Sequence, residues 1–487
     1  MTRLVIAAIC VAGVASAACV HSPPSINGVP PAPASPSSLW TPPASVITAA
    51  SRDTTHLAIS TTAARQLTLP EVVDLALRNS PATRLSWAQA RAAADAYGST
   101  AGRLYPTLSA GLTANHSLAL ATPGRPPIER TQYGPSLTLA YTVLDFGGRS
   151  GSIDVTRQTA IALDLSHNAT VENTILQVEA AAFAYLSTRS QLAAQRVAVE
   201  LATAALDAAN ERHRVGLATI ADVLQAQTAR SEAELQLETL EGALQVARGS
   251  LAVAMGVPAN SPFDIPEIPA TDSVHFVSES VDSLIDLAVR NRPELASARA
   301  EAAAASSQIR VARSGYLPAL AIGATGANNG SNVSTFSGRT YSINLGVQMP
   351  VFTGFSNQYD VAAASEQYQA ALARSETTKQ QIIQQVFSAY YTLRTSTNRV
   401  RTAADLLASA IQSETVARER YREGVGSIVD LLVAQSALAN ARAQSVDARW
   451  QWRTSLAQLA HDVGVLNARG DTTFSPLTPL PDIRPGR

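Results

Sequence analysis

The sequence repeats itself at long range, and this duplication constrains the fold more than any other feature. From Tyr133 to Gly256, each residue has a counterpart 208 positions later. Upstream, the segment that begins at Leu75 matches the segment that begins at Leu287, at an offset of 212. The two copies therefore differ by four residues (212 − 208), in one loop that precedes Tyr133. Two long tandem copies predict an architecture built from two equivalent halves.

The N-terminus has the features of a bacterial export signal. Residues 1–18 contain Arg3, an apolar run and small residues that end immediately before Cys19. The tripeptide at 16–18 resembles a lipobox, so we expect a covalent lipid on Cys19, no other cofactor, and anchoring in the outer membrane. Ordinary cleavage nearby, which would leave a free thiol, is the alternative.

Composition divides the rest of the chain. Residues 19–66 are rich in Pro, Ser and Thr and predict an extended N-terminal tether; residues 465–487 form a Pro-rich C-terminal tail. Repeat 1 occupies 67–257, a linker 258–280, and repeat 2 281–464. A net charge of −1 gives no reason to expect a nucleic acid partner.

Each repeat predicts the same order of elements: two shorter helices, a β-hairpin and a long helical hairpin. The β-hairpins are expected at about 106–143 and 317–352, and the helical hairpins at about 148–256 and 355–464. Apolar and polar residues alternate in the strands, which gives each strand one apolar face. About ten residues per strand suit a tilted membrane-spanning β-strand.

The second arm of each helical hairpin has coiled-coil spacing, with apolar residues at steps of three and four. In repeat 2 these positions are Leu431, Ala434, Leu438, Ala441, Ala448, Trp452 and Leu459.

Four strands per chain are too few to close a barrel. Open sheet edges in lipid would leave backbone groups without hydrogen bonds. Either the strands lie in water, as in a periplasmic coiled-coil structural or adaptor protein, or several chains pool them. Three chains would supply 12 strands (3 × 4) and 12 long helices around a polar lumen.

An envelope enzyme is the third possibility, but the sequence has no zinc motif, phosphate loop or nucleophile motif, so it predicts no catalytic or metal-binding residue.

The order and spacing of several local motifs resemble the TolC-like family of outer-membrane efflux factors over about residues 67–464. The motifs are the segments 76–81 and 288–293, the segment 144–149 after the second strand, and the two glycine-containing helical turns. The resemblance implies a mainly α-helical homotrimer with a 12-stranded β-barrel in the outer membrane and a 12-helix α-barrel in the periplasm. It also implies a passive exit duct of a tripartite efflux or type I secretion system. Its partners would be an inner-membrane pump and a periplasmic adaptor that opens the helical tip.

The two helical turns are the main candidate site. Glycines 216, 424 and 426 are expected at positive φ. Capping boxes are expected where Thr219 precedes Asp222 and where Ser427 precedes Asp430. The resemblance further implies that the turns dock onto the adaptor. The implied adaptor-binding residues are Val215, Gly216, Leu217, Glu423, Gly424, Val425 and Gly426.

The resemblance also implies a gate at the same tip. Asp430 would narrow the closed entrance, where threefold repetition brings three carboxylates together; a solvated capping carboxylate is the alternative. Tyr421 and Asp222 would link the inner and outer hairpins when the entrance is shut. The chain departs from the family pattern at Val433, where a second constriction aspartate is expected, and at Gly426, where an arginine is expected. The closed state therefore needs other contacts.

Overall fold

The computed structural model describes residues 25, 32–33, 35–40, 65–119, 127–266 and 279–466. The expected export signal, Cys19 and residues 467–487 of the expected tail lie outside the described residues, as do the other parts of the tether and linker.

Helices make up most of the described chain. They are α1 (Leu69–Asn79), α2 (Pro81–Gly102), α3 (Gly148–Arg214), α4 (Ile220–Ala254), α5 (Val281–Asn291), α6 (Pro293–Ser314), α7 (Ser356–Arg422) and α8 (Ile428–Val463). The strands are β1 (Arg65–Gln66), β2 (Thr107–Ala119), β3 (Ile128–Leu144), β4 (Phe263–Asp264), β5 (Ala319–Ser331) and β6 (Gly338–Gln348), with a 3₁₀ turn at Ser334–Phe336.

The duplication predicted from sequence recurs in the lengths of the helices. The helices α1 and α5 each have 11 residues, α2 and α6 each have 22, and α3 and α7 each have 67. The two 67-residue helices are each about 100 Å long at ~1.5 Å per residue. Both begin after a residue pair with positive φ, Phe146–Gly147 or Gly354–Phe355, which turns the chain from the sheet into the helix.

The four long strands form one antiparallel sheet in the order β2-β3-β5-β6. They have 13, 17, 13 and 11 residues, longer than the ten or so expected. Registers such as Leu108 opposite Leu139, and Ile322 opposite Leu345, place the apolar side chains of all four strands on one face. The other face is polar or small across the sheet, as where Thr325 lies opposite both Thr138 and Ser342. The two-faced sheet predicted from the alternation is therefore confirmed.

The long helices pack as antiparallel pairs, α3 with α4 and α7 with α8, and α8 also packs against α3. The predicted coiled-coil positions of α8, from Leu431 to Leu459, are all buried. Their counterparts in the middle of α4 are only half-buried, because one side of that helix has no neighbour among the described residues. In the described part of the chain, none of the helices is long and apolar enough to cross a membrane.

The strands β1 and β4 form a two-residue parallel pair beside the hydrophobic core of the first repeat. The sequence did not predict this contact. Tyr185 and Arg189 of α3 secure it, because the Tyr185 hydroxyl and the Arg189 guanidinium donate to Asp264 Oδ1 at 3.1 and 2.9 Å. The core beneath contains Ile175, Leu186 and other fully buried side chains of α1, α3 and α4.

Candidate functional site

The two turns between the long helices end in the same way. Gly216 has φ 79° and Gly424 has φ 78°, in the left-handed region that favours glycine. Leu217 N–H donates to Arg212 O at 2.7 Å, and Val425 N–H donates to Arg420 O at 3.0 Å. These bonds satisfy the last carbonyl groups of α3 and α7, as in a Schellman motif.

Gly426 does not have the expected positive φ, so that prediction was wrong. A Cβ atom at this position would lie 3.0 Å from Arg420 Cβ and 3.1 Å from the Tyr421 nitrogen. Glycine suits this position because the returning chain passes close to the last turn of α7, which a Cβ atom would have to displace by a few tenths of an ångström. An arginine side chain at position 426 would not fit without moving that turn.

Both predicted capping boxes are present. In the first turn, Thr219 N–H donates to Asp222 Oδ2 at 2.8 Å and Asp222 N–H donates to Thr219 Oγ1 at 3.3 Å. In the second, Ser427 N–H donates to Asp430 Oδ2 at 3.3 Å and Asp430 N–H donates to Ser427 Oγ at 3.1 Å. The two aspartates therefore start α4 and α8.

Apolar side chains project from both turns. Leu217 is 70% exposed and Val425 is 68% exposed, with Val215 and Ile220 beside the first turn also exposed. Large apolar side chains at such exposure have no role in the core of the chain, so they form a surface suited to a partner.

Arg212, in the last turn of α3, joins the two hairpins at the tip. Its Nη1 donates to the Tyr421 carbonyl oxygen at 2.5 Å, and its guanidinium lies over the Tyr421 ring, 4.8 Å from the centroid. The ring is buried against Ala205 of α3 and Ile428 and Leu431 of α8. A charge-assisted hydrogen bond and a cation–π contact thus connect the α3–α4 hairpin with the α7–α8 hairpin.

Asp222 and Tyr421, which the resemblance links, form no hydrogen bond with each other. The Asp222 carboxylate caps α4, and the Tyr421 hydroxyl is buried without a hydrogen-bond partner in the described residues. Burial raises the pKa of Tyr421, Arg212 opposes this rise and Asp222 adds to it. Sequence reasoning missed Arg212; the only available signal was its place in the last turn before a glycine turn.

Asp430 lies at the mouth of a cleft between α7 and α8. The cleft has a volume of about 610 Å³ and is lined by Ser413, Val416, Arg420, Gly426, Asp430 and Val433, among others. Hydrogen bonds from the side chain and backbone of Ser427 hold the pKa of Asp430 below its usual range. The carboxylate is therefore ionised in neutral water. Val433, one helical turn further along α8, is 64% exposed on the same cleft.

In the part of the chain that the structure describes, no three His, Cys, Asp or Glu side chains come together in a metal-binding arrangement.

Comparison with known sequences identifies relatives over most of the chain. A sequence model of the outer membrane efflux protein family matches residues 72–257 and 284–465. Protein CyaE of Bordetella pertussis is 29% identical over 398 residues, which span 81% of this chain and 83% of CyaE. Outer membrane protein TolC of Vibrio cholerae is 26% identical over 414 residues, 82% of this chain and 91% of TolC.

Solved structures share the fold. The outer membrane protein VceC from Vibrio cholerae matches with a TM-score of 0.73 at 18% identity, over 81% of this chain and 96% of VceC. The order of short helices, β-hairpin and long helical hairpin in each repeat is therefore an arrangement found in outer membrane proteins.

Proposed function

Because this chain belongs to the outer membrane efflux protein family, we propose that three copies of it form the passive exit duct of a tripartite efflux system. The family match covers both repeats, so the protein is an outer membrane efflux channel, and the family is not one of enzymes. The alternative of a periplasmic coiled-coil adaptor gives no reason for the two-faced sheet.

The observation that carries the proposal is the four-stranded sheet with two open edges. In the described residues β2 pairs only with β3, and β6 pairs only with β5. Both edges would be left without hydrogen bonds in lipid, which costs several kcal/mol per group. Pairing β6 of one copy with β2 of the next closes 12 strands (3 × 4) without an edge. Small and polar side chains then line the lumen.

The height of the apolar face suits the membrane. Tyr341 lies near one end of β6, and Phe352 follows the other end, 11 positions along the chain (352 − 341). At ~3.3 Å per residue and a tilt of about 45°, the 11 residues of β6 span about 25 Å along the membrane normal, the height of the apolar band of outer-membrane barrels. Both side chains are exposed, as expected of aromatic residues at membrane interfaces.

At the opposite end, the exposed apolar turns supply the docking surface for a periplasmic adaptor. Val215, Leu217 and Val425 are the principal contacts in this proposal, supported by their exposure at a tip that no described part of the chain covers. Docking would separate Arg212 from Tyr421 and widen the entrance. Energy for transport would come from an inner-membrane pump, because the chain has no nucleotide-binding motif.

A lipid on Cys19 is proposed as a second membrane attachment beside the barrel. The small residues before Cys19 support it. Replacement of Cys19 by Ser would remove the lipid-dependent mass shift and leave the barrel in the membrane.

The channel is tested by recording from purified trimers in planar bilayers. Discrete conductance steps are expected, larger when a cognate adaptor is added, and absent for the same preparation after heat denaturation. A folded, detergent-extracted trimer that conducts no current with or without adaptor would overturn the proposal.

A further inference from the structure

A short N-terminal segment packs against α2 and α3 of the first repeat, far along the chain from its contacts. This strap comprises residues 32–33 and 35–40. Residues 35–38 form a turn, in which Ser38 N–H donates to Ser35 O at 3.2 Å and Ser38 Oγ donates to Ser35 O at 2.9 Å. The strap therefore has a defined shape of its own.

Side chains of α2 and α3 bind the backbone of the strap. The Asn168 side-chain amide pairs with Trp40 twice: it accepts from the Trp40 N–H at 2.9 Å and donates to the Trp40 carbonyl oxygen at 3.0 Å. His167 Nε2 donates to Ser38 O at 2.9 Å, and Trp87 Nε1 donates to Pro33 O at 2.7 Å. Four hydrogen bonds to backbone groups are the mode by which proteins bind extended peptides.

His167 is held in the state that this contact requires. The ring is fully buried, and its Nδ1 lies 2.8 Å from Ser86 Oγ. Burial lowers the pKa of His167. In the neutral ring, Nε2 carries the proton that Ser38 O accepts, and Nδ1 accepts from the Ser86 hydroxyl.

Trp40 is the apolar anchor of the strap. Its side chain is 3% exposed, whereas the adjacent Leu39 is 46% exposed. The Trp40 side chain packs where three helices meet: Ala160, Ile161 and Leu165 of α3, Ala296 and Ala300 of α6, and Ala93 and Tyr97 of α2. It thus fills a seam between the first repeat and the second.

The binding groups occur in only one of the two repeats. At the offset of 212, Ser86 and Trp87 of α2 correspond to Ala298 and Arg299 of α6. At the offset of 208, His167 and Asn168 of α3 correspond to Ser375 and Glu376 of α7. None of the four side chains is kept, although the two helices have equal lengths in both repeats. Groups needed only for folding the shared architecture would be expected in both halves.

We propose that Trp87, His167, Asn168 and the seam around Trp40 form a peptide-binding site, one per chain, for the protein's own N-terminal segment. Its ligand class is an extended Pro- and Ser-rich peptide that ends in a large aromatic residue. The bound strap connects α2 and α3 with α6. It also fixes the position of the N-terminal segment along the axis of the helical barrel.

That height is within reach of the membrane. Asn168 is 20 residues into α3 (168 − 148), about 30 Å from the end nearest the sheet at ~1.5 Å per residue. Pro33 lies only 14 positions after Cys19 (33 − 19), a span of at most about 50 Å when extended. The strap of a chain that is attached to the membrane can therefore reach this site. Binding of the strap to the site does not depend on the lipid or on the channel activity.

Amide hydrogen exchange on the full-length trimer tests the proposal. The segment containing Trp40 is expected to exchange about tenfold or more faster in Asn168→Ala than in the wild type, because exchange follows the population of the released segment. Asn173→Ala is the matched control, since among the described residues the Asn173 side chain bonds only within α3, to Ala169 O at 2.9 Å. Exchange of the α3 amides in the same samples reports whether each variant is folded.

Limited proteolysis gives a second measurement. Chymotrypsin is expected to cut after Trp40 slowly in the wild type and Asn173→Ala, and about tenfold faster in Asn168→Ala. A wild-type segment that exchanges and is cut as fast as in folded Asn168→Ala would overturn the proposal, whatever the trimer does in a conductance assay.

Discussion

Arg212 and Tyr421 connect the α3–α4 hairpin with the α7–α8 hairpin, although they are separated by 209 positions in the chain. The guanidinium of Arg212 both donates to the Tyr421 carbonyl oxygen and covers its ring. The two residues come from different repeats. Any movement that spreads the two hairpins apart must break this contact, so in the proposed channel it would hold the tip closed.

Arg212→Ala is expected to open the entrance in the absence of an adaptor. The lost hydrogen bond and cation–π contact stabilise the closed tip by about 1–3 kcal/mol, which corresponds to a roughly 5- to 150-fold rise in the open population. Planar-bilayer recordings should show longer or larger openings than in the wild type.

Arg214→Ala is the matched control for this prediction. Arg214 lies in the same turn of α3, is largely exposed, and pairs only with Glu211 of its own helix in the described structure. Its conductance should equal that of the wild type. Equal behaviour of the Arg212 and Arg214 variants would show that the Arg212 contact does not hold the gate.

The fold could largely be predicted from the sequence because its main signals are periodic. The repeat offsets, the alternation in strands such as 341–347 and the coiled-coil spacing from Leu431 to Leu459 each extend over many residues, so single exceptions do not obscure them. The pairing of β1 with β4 could not be predicted, because two-residue strands carry no pattern.

The site was less accessible to sequence reasoning. Capping boxes at Thr219 and Ser427 are local motifs, and the structure contains both. Arg212 was missed because its partner is distant in sequence and is a backbone carbonyl, which no residue type reveals. The φ expected at Gly426 was wrong because a glycine signals either positive φ or close packing, and only coordinates separate the two. The bound strap was missed because the residues that bind it are also distant in sequence and contact its backbone groups.

Asp430→Asn should weaken the cation preference of the channel if three copies of this carboxylate face one axis. The capping hydrogen bonds hold its pKa below the usual range. Its charge is therefore present above the ordinary pKa and is lost only as the pH falls through the lowered value. The wild-type reversal potential at pH 7 should therefore show a preference for cations, whereas that of the variant should lie closer to a non-selective value.

Asp222→Asn is the control for the Asp430 variant, because Asp222 occupies the same capping position in the other turn. It should leave the reversal potential unchanged. If both variants alter selectivity equally, the effect comes from the helix caps and not from a carboxylate at the constriction.

Asp164 predicts a pH-dependent stability of the helical barrel. Its carboxyl group on α3 is fully buried, and neither oxygen has a hydrogen-bond partner in the described residues. Burial raises its pKa to about 9. The unfolded state releases the Asp164 proton above the ordinary pKa of an aspartate, whereas the folded state keeps it up to about pH 9. The free energy of unfolding is therefore not reduced by this group at low pH, and it falls as the pH rises toward 9. The difference is on the order of several kcal/mol.

Asp164→Asn should flatten this dependence, because the amide does not ionise in either state. The apparent melting temperature, followed by circular dichroism at a fixed heating rate from pH 5 to pH 9, should fall less in the variant than in the wild type. Asp207→Asn, at an exposed position of the same helix, should follow the wild-type curve. A variant curve parallel to the wild-type curve would mean that Asp164 is ionised in the folded protein.

Leu217→Asp is expected to weaken adaptor binding at the tip without affecting the assembled channel. Leu217 is 70% exposed in the first turn, and its side chain supports no core cluster, so a charge there should not unfold the chain. Burying that charge without a partner against an apolar adaptor surface should lower the affinity by about tenfold or more.

The measurement is the dissociation constant for the adaptor by biolayer interferometry on immobilised trimers. Glu238→Gln, a change at an exposed position in the middle of α4 and away from both turns, is the control and should bind as the wild type does. Undiminished binding to Leu217→Asp would place the adaptor elsewhere, because a surface that accepts a carboxylate at its centre is not an apolar contact.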